Sequence, residues 1–215
     1  MIHNTINNLN IIRNEVDSIN KKINIIAVSK TFPVENIKPL ISQGHIHFGE
    51  NKVQEAMEKW TDLKSKFKDI KLHLIGKLQT NKVKFTLPLF DYIHSLDSLK
   101  LAEKLSIQQK KIGFKPKIFI QVNIGDEIQK NGIKKGDLEI FLKRCKKDFD
   151  LNVVGLMCLP PNDGKHELYF KEMNYLNKKF HLTDLSMGMS NDYQSAILYG
   201  ATFVRIGSKI FGSRN

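Results

Sequence analysis

A lysine side chain follows a short apolar strand near the start of the chain. The segment Ile25–Lys30 reads Ile-Ile-Ala-Val-Ser-Lys, so that hydrophobic and small residues carry one amine to a strand end. A partly desolvated lysine near other cations has a lowered pKa and can attack an aldehyde as the neutral amine. Lys30 is therefore a candidate nucleophile, although its position alone is equally compatible with one of many surface lysines.

A second segment, near the C-terminus, combines a cation, a glycine and a hydroxyl. In Phe203–Ser208 these are Arg205, Gly207 and Ser208. Gly207 and Ser208 are predicted to open a short last helix, where backbone N–H groups and the helix dipole favour a phosphate group. Ser190 is predicted to open the preceding helix and to add a hydroxyl. An amine that faces a phosphate cradle is the arrangement that pyridoxal 5′-phosphate (PLP) requires.

The charge of Arg205 needs a partner, because this residue lies in a strand predicted to be buried. One possibility is a structural salt bridge at the top of the fold. The other is a hydrogen bond to the ring nitrogen of a ligand. Since a guanidinium donates and cannot accept, it would keep a pyridine unprotonated. Such a ring is a weaker electron sink than a pyridinium, which restricts the reactions that the site could support.

Two further polar segments lie at predicted strand ends. One is Phe48–Glu55, which contains Asn51, and the other is His73–Lys82. Asn51 is a candidate helix cap as well as a candidate ligand-binding residue, and Thr80 is a second candidate cap. His73, considered alone, is more simply explained as a hydrogen-bonded core histidine than as a site residue.

Short apolar strands alternate with segments of helical periodicity along the whole chain. Near-continuous apolar runs of this kind are typical of strands buried on both faces of a parallel sheet. Eight strands are predicted, at Ile23–Val28, His45–Phe48, Lys71–Ile75, Tyr92–His94, Lys117–Asn123, Asn152–Met157, Asp184–Met187 and Phe203–Ile206. Helical faces are predicted for two sets of residues: Leu99, Leu101, Ala102 and Leu105, and Leu168, Phe170, Met173, Leu176 and Phe180.

Eight alternating units favour an α/β fold that closes into a single (β/α)8 TIM-type barrel, with an open doubly wound sheet as the alternative. Asp97 and Ser190 are predicted helix N-caps. No linker divides the chain, so one domain is expected over residues 1–215. An extra N-terminal helix is predicted from the spacing of Ile6, Leu9, Ile12 and Ile19.

Active sites of such barrels lie at the C-terminal ends of the strands, and phosphate sites often lie after strands seven and eight. The candidate chemistry of this chain fits that placement. The residues at or just beyond predicted strand ends are Lys30, Asn51, His73, Lys130, Ser190 and Arg205.

The bulk composition narrows the functional class. The net charge is +12, but the lysines are spread along all 215 residues without interleaved aromatics, so no nucleic-acid partner is expected. No apolar run reaches membrane-spanning length and the first residues are polar, which predicts a cytoplasmic protein without a membrane partner. Cys145 and Cys158 lack metal-binding spacing and are expected to be reduced thiols.

Taken together, the motifs resemble the pyridoxal phosphate homeostasis protein family, whose fold is similar to the N-terminal barrel of bacterial alanine racemase. The matching segments run in order over nearly the full length: Ala27–Lys30, Phe48–Asn51, Gln54–Glu55, His73–Gly76, Leu78–Gln79, Asn81–Lys82, His94–Ser98, Gln121–Asn123, Gly155–Met157, Leu185–Ser190, Asp192, Gly200–Thr202, Val204–Ser208 and Ile210–Gly212.

The resemblance implies that Lys30 holds PLP as a Schiff base and that Arg205 faces the pyridine nitrogen. It implies that the phosphate is bound by Ser190, Gly207 and Ser208. It also implies that the pocket is lined by Asn51, His73 and Met157, with Lys130 near its opening.

The function implied by the resemblance is PLP homeostasis, as a carrier or buffer without substantial catalysis, with PLP-dependent apoenzymes as candidate partners. A monomer is expected, because the sequence shows no domain that would be exchanged between subunits. Two alternatives are an amino-acid racemase and a Schiff-base aldolase acting on a phosphorylated sugar. Alanine racemase takes its second base, a tyrosine, from a C-terminal domain, and this chain ends at Asn215, so efficient racemisation is not expected. An aldolase would need an acid/base group beside the lysine, for which Glu50 is the nearby candidate.

Overall fold

The computed structural model describes residues 4–127 and 129–213. Their eight strands are parallel and close into a barrel, in which each strand pairs with the next along the chain and the last pairs with the first. The α/β fold class and the (β/α)8 TIM-type barrel are thus confirmed, and the open sheet is wrong. The prediction of one domain over residues 1–215 also covers Ile128 and both termini, with the chain end at Asn215. These residues lie outside the described part of the chain.

Each strand is followed by a helical segment, and one helix precedes the first strand. The strands are β1 (Asn24–Val28), β2 (His47–Glu50), β3 (Lys71–Leu74), β4 (Tyr92–Leu96), β5 (Lys117–Val122), β6 (Val153–Cys158), β7 (Asp184–Met189) and β8 (Phe203–Ile206). The helices are α1 (Asn4–Ile19), α2 (Val34–Ser42), α3 (Val53–Lys66), α4 (Val83–Thr86), α5 (Leu99–Ile112), α6 (Leu138–Lys147), α7 (His166–Lys179), α8 (Tyr193–Leu198) and α9 (Ser208–Phe211).

Strand β2 differs most clearly from its predicted bounds. The backbone N–H of His45 donates to the carbonyl oxygen of Leu40 at 3.0 Å, so His45 belongs to the turn after α2 and not to the strand. The strand begins at His47 and continues to Glu50, which is paired with Leu74 of β3. Main-chain pairing with β3 therefore sets both ends of β2. The hydrophobicity of the side chains does not indicate this pairing.

Two apolar layers surround the strands, because successive side chains of a strand point to opposite faces. The layer between strands and helices includes the buried side chains of Phe48, Trp60, Leu72, Phe90 and Phe170. The layer inside the barrel includes Ile26, Val28, Tyr92, Phe119, Met157 and Phe203. Burial of each large apolar side chain contributes about 1.5–3 kcal/mol relative to exposure. The inner layer fills the barrel beneath the C-terminal ends of the strands.

The predicted helical faces are confirmed except at their edges. On α5, Leu101, Ala102 and Leu105 are buried. On α7, Phe170 is buried but Leu168 is 64% exposed, so its predicted place on the buried face is wrong. Leu168 lies about 200° around the helix axis from Phe170, which turns its side chain outwards.

The extra N-terminal helix is confirmed as α1, which packs against α8 and α9. Leu9 and Ile12 are buried in this contact, whereas Ile19 at the end of the helix is 37% exposed. The side-chain amide of Asn8 donates to the carbonyl oxygen of Ile210 at 3.0 Å. Helix α1 is thereby attached to the helix that follows the last strand.

Both predicted N-caps are wrong by a short distance. Helix α5 is capped by Ser98, whose hydroxyl accepts from the backbone N–H of Leu101 at 3.4 Å. Ser98 has extended backbone angles that direct its hydroxyl towards the first helical turn, which a cap requires. Helix α8 begins at Tyr193, so Ser190 lies in the preceding turn and does not open the helix.

Candidate functional site

A cavity of about 910 Å³ opens at the C-terminal end of the barrel. Loops after six of the strands contribute to it, which is the placement expected for an active site in this fold. It contains six of the nine residues predicted from the sequence: Lys30, Asn51, Ser190, Arg205, Gly207 and Ser208. Segments distant in the chain thus meet at one site.

The loop after β1 carries Lys30 into the cavity. The next residue, Thr31, has a φ of 69°, a left-handed conformation that is strained for a β-branched side chain. The backbone N–H of Thr31 donates to the carboxylate of Glu55 on α3, and its hydroxyl donates to the carbonyl oxygen of Lys30 at 2.6 Å. Contacts to α3 therefore hold the strained turn that directs Lys30.

Glu50, the candidate acid/base group of an aldolase, is directed away from the cavity. Its carboxylate is fully buried and accepts from the hydroxyl of Ser29 at 2.8 Å and from the indole N–H of Trp60 at 3.0 Å. Burial raises the pKa of Glu50, although the nearby ammonium of Lys59 opposes that shift. Because Glu50 does not line the cavity, its predicted acid/base place beside Lys30 is wrong.

Arg205 places a nearly buried guanidinium at the cavity floor, with 4% of the residue exposed. Its two Nη atoms donate to the hydroxyl of Ser186 at 2.7 Å and to the carbonyl oxygen of Cys158 at 2.9 Å. Within residues 4–127 and 129–213 no carboxylate forms an ion pair with it, so the predicted structural salt bridge is wrong. Burial lowers the pKa of Arg205, and the neutral acceptors leave its charge available to an anionic ligand.

The loops after β7 and β8 form one wall of the cavity. Gly207 precedes the short helix α9, which begins at Ser208 as predicted. The first N–H groups of a helix have no acceptor within the helix. Ser190 adds a hydroxyl from the turn before α8, where the carboxylate of Asp192 accepts from the backbone N–H of Met189 at 2.6 Å. Hydroxyl and N–H donors thus converge on the side of the cavity predicted to bind phosphate.

Asn51 reaches the cavity from the loop after β2. Helix α3 is preceded by Lys52 at its N-cap position, so the prediction of Asn51 as a helix cap is wrong. A Cβ atom on Gly76 would lie 2.3 Å from the carbonyl oxygen of Asn51, which means that only glycine permits this approach of the β3 loop. Close packing of two loop backbones therefore fixes Asn51.

His73 and Met157 are not among the residues that line the cavity. Both are fully buried inside the barrel. The ring of His73 is hydrogen-bonded to His47 and to His94, at 2.9 Å each, and is stacked on Tyr92 with ring centroids 4.2 Å apart. His73 is therefore a hydrogen-bonded core histidine, as the simpler interpretation holds. Its side chain points from β3 into the barrel and lies below the cavity floor.

Lys130 lies beside a second, smaller cavity of about 160 Å³. Its ammonium group contacts the carboxylate of Glu127 and donates to the carbonyl oxygen of Pro160 at 3.3 Å. Leu159 lines both cavities, so the smaller one adjoins the larger. The structure therefore places Lys130 next to the main cavity and not in it.

The sequence interpretation missed the loop after β6, which forms a long part of the cavity lining. Its residues there are Leu159, Pro160, Pro161, Asn162 and Gly164, and His166 follows as the first residue of α7. The signal was present, since the run Pro-Pro-Asn-Asp-Gly follows a predicted strand at its C-terminal end. This loop lies far from Lys30 along the chain but lines the same cavity.

The described residues include neither a membrane-spanning helix nor a metal-binding cluster. No helix in them combines the length and apolar composition needed to cross a bilayer. They contain no group of three or more histidine, cysteine, aspartate or glutamate residues arranged to hold a metal ion. Cys145 and Cys158 are unpaired, and burial raises the pKa of each thiol to about 12.

Comparison with known proteins places this geometry in a family. The family model described as alanine racemase, N-terminal domain, matches residues 3–215. A pyridoxal phosphate homeostasis protein from Haemophilus influenzae is 36% identical over 225 residues, which cover 97% of this chain and 95% of that protein. The chain belongs to the pyridoxal phosphate homeostasis protein family.

Solved structures agree with membership of the pyridoxal phosphate homeostasis protein family. PipY of Synechococcus elongatus without PLP is 33% identical and superposes with a TM-score of 0.88, covering 98% of this chain and 100% of PipY. PipY with PLP bound gives a TM-score of 0.83 and covers 94% of this chain. An alanine racemase from Corynebacterium glutamicum, 14% identical with a TM-score of 0.73, shares the fold, and the match covers 62% of that racemase.

Proposed function

We propose that this protein binds PLP as a Schiff base on Lys30 and acts in PLP homeostasis, as a carrier or buffer without substantial catalysis. The observation that carries the proposal is the meeting of Lys30 and the buried Arg205 in one cavity, beside the start of α9. The names of the relatives and the PLP-bound structure of PipY support it independently.

The charges and donors of the cavity fit PLP. When bound, PLP supplies an aldehyde that condenses reversibly with a primary amine, a pyridine nitrogen that accepts, and a dianionic phosphate. Arg205 is a buried cation whose contacts are to neutral acceptors, so an anionic, hydrogen-bond-accepting ligand is favoured beside it. Its guanidinium can donate to a pyridine nitrogen but cannot accept a proton from it.

The phosphate is assigned to the wall formed by the loops after β7 and β8. Ser190 and Ser208 offer hydroxyl donors there, and both line the cavity. The backbone N–H groups at the start of α9 add donors that no acceptor within the helix can satisfy. Gly207 places no side chain beside these N–H groups; the atoms nearest to a Cβ at this position would belong to Val28, at 3.4 Å.

The remaining predicted residues receive supporting roles in this proposal. Asn51 lines the cavity beside Lys30. His73 and Met157 lie below the floor and would shape the site through packing and hydrogen bonds without touching the ligand. Lys130, beside the adjoining cavity, would handle the cofactor on its way in or out.

A carrier is favoured over a racemase or an aldolase by the chemistry of the cavity lining. Racemisation needs an acid/base group on each face of the substrate, and none of the described residues that line the cavity is a tyrosine. Besides Lys30 and Arg205, the titratable side chains of the lining are Asp192 and His166, and Asp192 accepts from the backbone of its own turn. The carboxylate of Glu50 accepts from Ser29 below the loop that carries Lys30, so it cannot act as the acid/base group of an aldolase.

We propose a cytoplasmic location. The unpaired thiols of Cys145 and Cys158 support it, because free thiols are typical of a reducing compartment. The supply of apoenzymes and the monomeric state stay predictions.

The decisive experiment is an absorbance spectrum of the purified protein with added PLP, before and after borohydride reduction, followed by peptide mapping of the adduct. We expect a visible imine band and a reduced adduct on Lys30. Lys30→Ala should lose the adduct and retain PLP more weakly, whereas Lys104→Ala, on the exposed side of α5, should behave as the parent protein. An adduct elsewhere, or equal PLP occupancy in Lys30→Ala, would overturn the assignment.

Absence of substantial catalysis is tested on the PLP-loaded protein. We expect no conversion of L-alanine to D-alanine at enzymatic rates, and no cleavage of phosphorylated ketose sugars. Turnover at rates of about 1 s⁻¹ or more, which are ordinary for enzymes, would replace the carrier by the corresponding enzyme.

A further inference from the structure

A continuous string of hydrogen bonds runs through the barrel from the cavity floor to the opposite end. Arg205 donates to the hydroxyl of Ser186 at 2.7 Å, and this hydroxyl lies 2.9 Å from Nδ1 of His94. Nε2 of His94 lies 2.9 Å from Nδ1 of His73, and Nε2 of His73 lies 2.9 Å from Nδ1 of His47. Five strands contribute one side chain each, and His47 begins β2 at the N-terminal end of the barrel.

The chemistry of the end group determines the direction of every hydrogen bond in this string. Arg205 can only donate, so the oxygen of Ser186 must accept from it. The hydroxyl proton of Ser186 then has one acceptor among its described contacts, Nδ1 of His94. If His94 instead donated from Nδ1, that buried hydroxyl proton would have no acceptor, which is unfavourable.

The same order continues along the rings. With Nδ1 accepting, His94 must carry its proton on Nε2 and donate it to Nδ1 of His73. His73 in turn carries its proton on Nε2 and donates to His47. All three imidazoles are then neutral and have the same tautomer, with the proton on Nε2. Their burial agrees with neutrality, since desolvation lowers the pKa of His73 and of His94 well below the usual value.

Ring packing fixes the orientation of the two central imidazoles. His73 is stacked on Tyr92 with centroids 4.2 Å apart, and His94 is stacked on Phe119 with centroids 4.3 Å apart. A ring flip in either would break two hydrogen bonds in a fully buried environment. The string is therefore a rigid support and not a set of mobile side chains.

We propose that Ser186 and His94 are positioning residues for Arg205, and that the string of His94, His73 and His47 holds its guanidinium as a donor aimed at the ring nitrogen of the cofactor. The part of this inference that concerns the cofactor rests on the proposed function. The hydrogen-bond order itself does not, because it is a property of the protein without ligand.

The first test is the ¹⁵N chemical shifts of the histidine rings in the full chain without PLP, with the exposed His181 as an internal reference. We expect the neutral tautomer protonated on Nε2 for His47, His73 and His94 at neutral pH. A ring protonated on Nδ1, or an imidazolium, at His73 or His94 would overturn the proposal, whatever the protein binds.

The second test compares two substitutions at one position. His94→Phe keeps a ring to stack on Phe119 but removes the acceptor for Ser186, and should weaken PLP retention by about tenfold and shift the imine absorbance. His94→Asn places Oδ1 where Nδ1 lies and should restore both to within about threefold of the parent. Tyr92→Phe, in the same inner layer but outside the string, should change neither.

The outcomes separate this inference from the proposed function. If the parent protein binds PLP and His94→Phe retains it with equal affinity and an unchanged spectrum, the positioning role is overturned. If His94→Phe does not fold, Ser186→Ala removes the acceptor of Arg205 in its place and is expected to give the same weakening. If the parent protein binds no PLP at all, the proposed function fails. The histidine tautomers of the protein without PLP then still test the hydrogen-bond order of the string.

Discussion

Lys59 and Glu50 form a buried ion pair directly below the loop that carries Lys30. The ammonium nitrogen lies 2.8 Å from the carboxylate, with 11% of the Lys59 side chain and none of the Glu50 side chain exposed. Lys59 also donates to the carbonyl oxygens of Ser29, at 2.9 Å, and Phe32, at 3.3 Å. These two residues flank the strained turn, so one ammonium group holds both ends of the segment that presents the candidate nucleophile.

Replacement of Lys59 by methionine is expected to lower the free energy of unfolding by about 3–5 kcal/mol, because it leaves the Glu50 carboxylate buried without its cation. Chemical denaturation followed by circular dichroism measures this change. The control is Arg144→Gln, which breaks the exposed Arg144–Asp148 pair and should cost no more than about 1 kcal/mol. Equal effects of the two substitutions would contradict the structural role of the buried pair.

Arg205→Gln should weaken PLP binding by at least about tenfold, because charge-assisted hydrogen bonds are roughly twice as strong as neutral ones. The glutamine amide can still donate to Ser186. Titration with PLP, followed by absorbance, gives the dissociation constant. Arg144→Gln removes an arginine that does not line the cavity and should bind PLP like the parent protein. Unchanged affinity in Arg205→Gln would show that the buried cation does not contact the ligand.

Stability is expected to fall as the pH is lowered from about 6.5 towards 4. Burial, followed by the charge of Arg13, lowers the pKa of His45 to about 3 and that of His47 to about 4 in the folded protein, whereas an unfolded histidine titrates near about 6.5. The unfolded state therefore binds more protons in this window, and each buried imidazole lowers the stability by about 1.4 kcal/mol per pH unit. Thermal unfolding across this range measures the slope.

His45→Gln isolates one of these histidines. The ring Nε2 of His45 contacts the carbonyl oxygen of His47 at 2.9 Å, and the glutamine amide can keep that hydrogen bond without a titrating group. The slope of stability against pH should decrease by about 1.4 kcal/mol per pH unit. Superimposable profiles for the variant and the parent would mean that His45 is not buried as the neutral ring.

Gly76→Ala is expected to destabilise the protein by about 1–3 kcal/mol or more, since overpacking forces the backbone to shift. The new Cβ would lie 2.3 Å from the carbonyl oxygen of Asn51, and the shift should also weaken PLP retention. Gly136→Ala is the matched control, because a Cβ there meets nothing within 4 Å. Melting temperatures of the two variants, with and without PLP, test both expectations.

The sequence alone predicted the barrel and the strand ends that carry Lys30 and Arg205. It succeeded because apolar periodicity is a local property, and because parallel strands in this fold present their C-terminal ends at one face. It was less accurate for the bounds of β2 and for the caps at Asp97 and Ser190. Those features depend on which backbone groups pair across the chain, and side-chain hydrophobicity does not report such pairing.

The tertiary structure decided which polar residues share the cavity and which lie below it. His73 and Glu50 both stand near strand ends, yet His73 points into the barrel interior and Glu50 towards Lys59 and Trp60. Arg205 likewise finds its partners on other strands of the barrel. It donates to the hydroxyl of Ser186 on β7 and to the carbonyl oxygen of Cys158 on β6. The sequence thus determined the fold and the reactive side chains. Only closure of the barrel, which brings residues distant in the chain within hydrogen-bonding distance, decided their partners and therefore their chemistry.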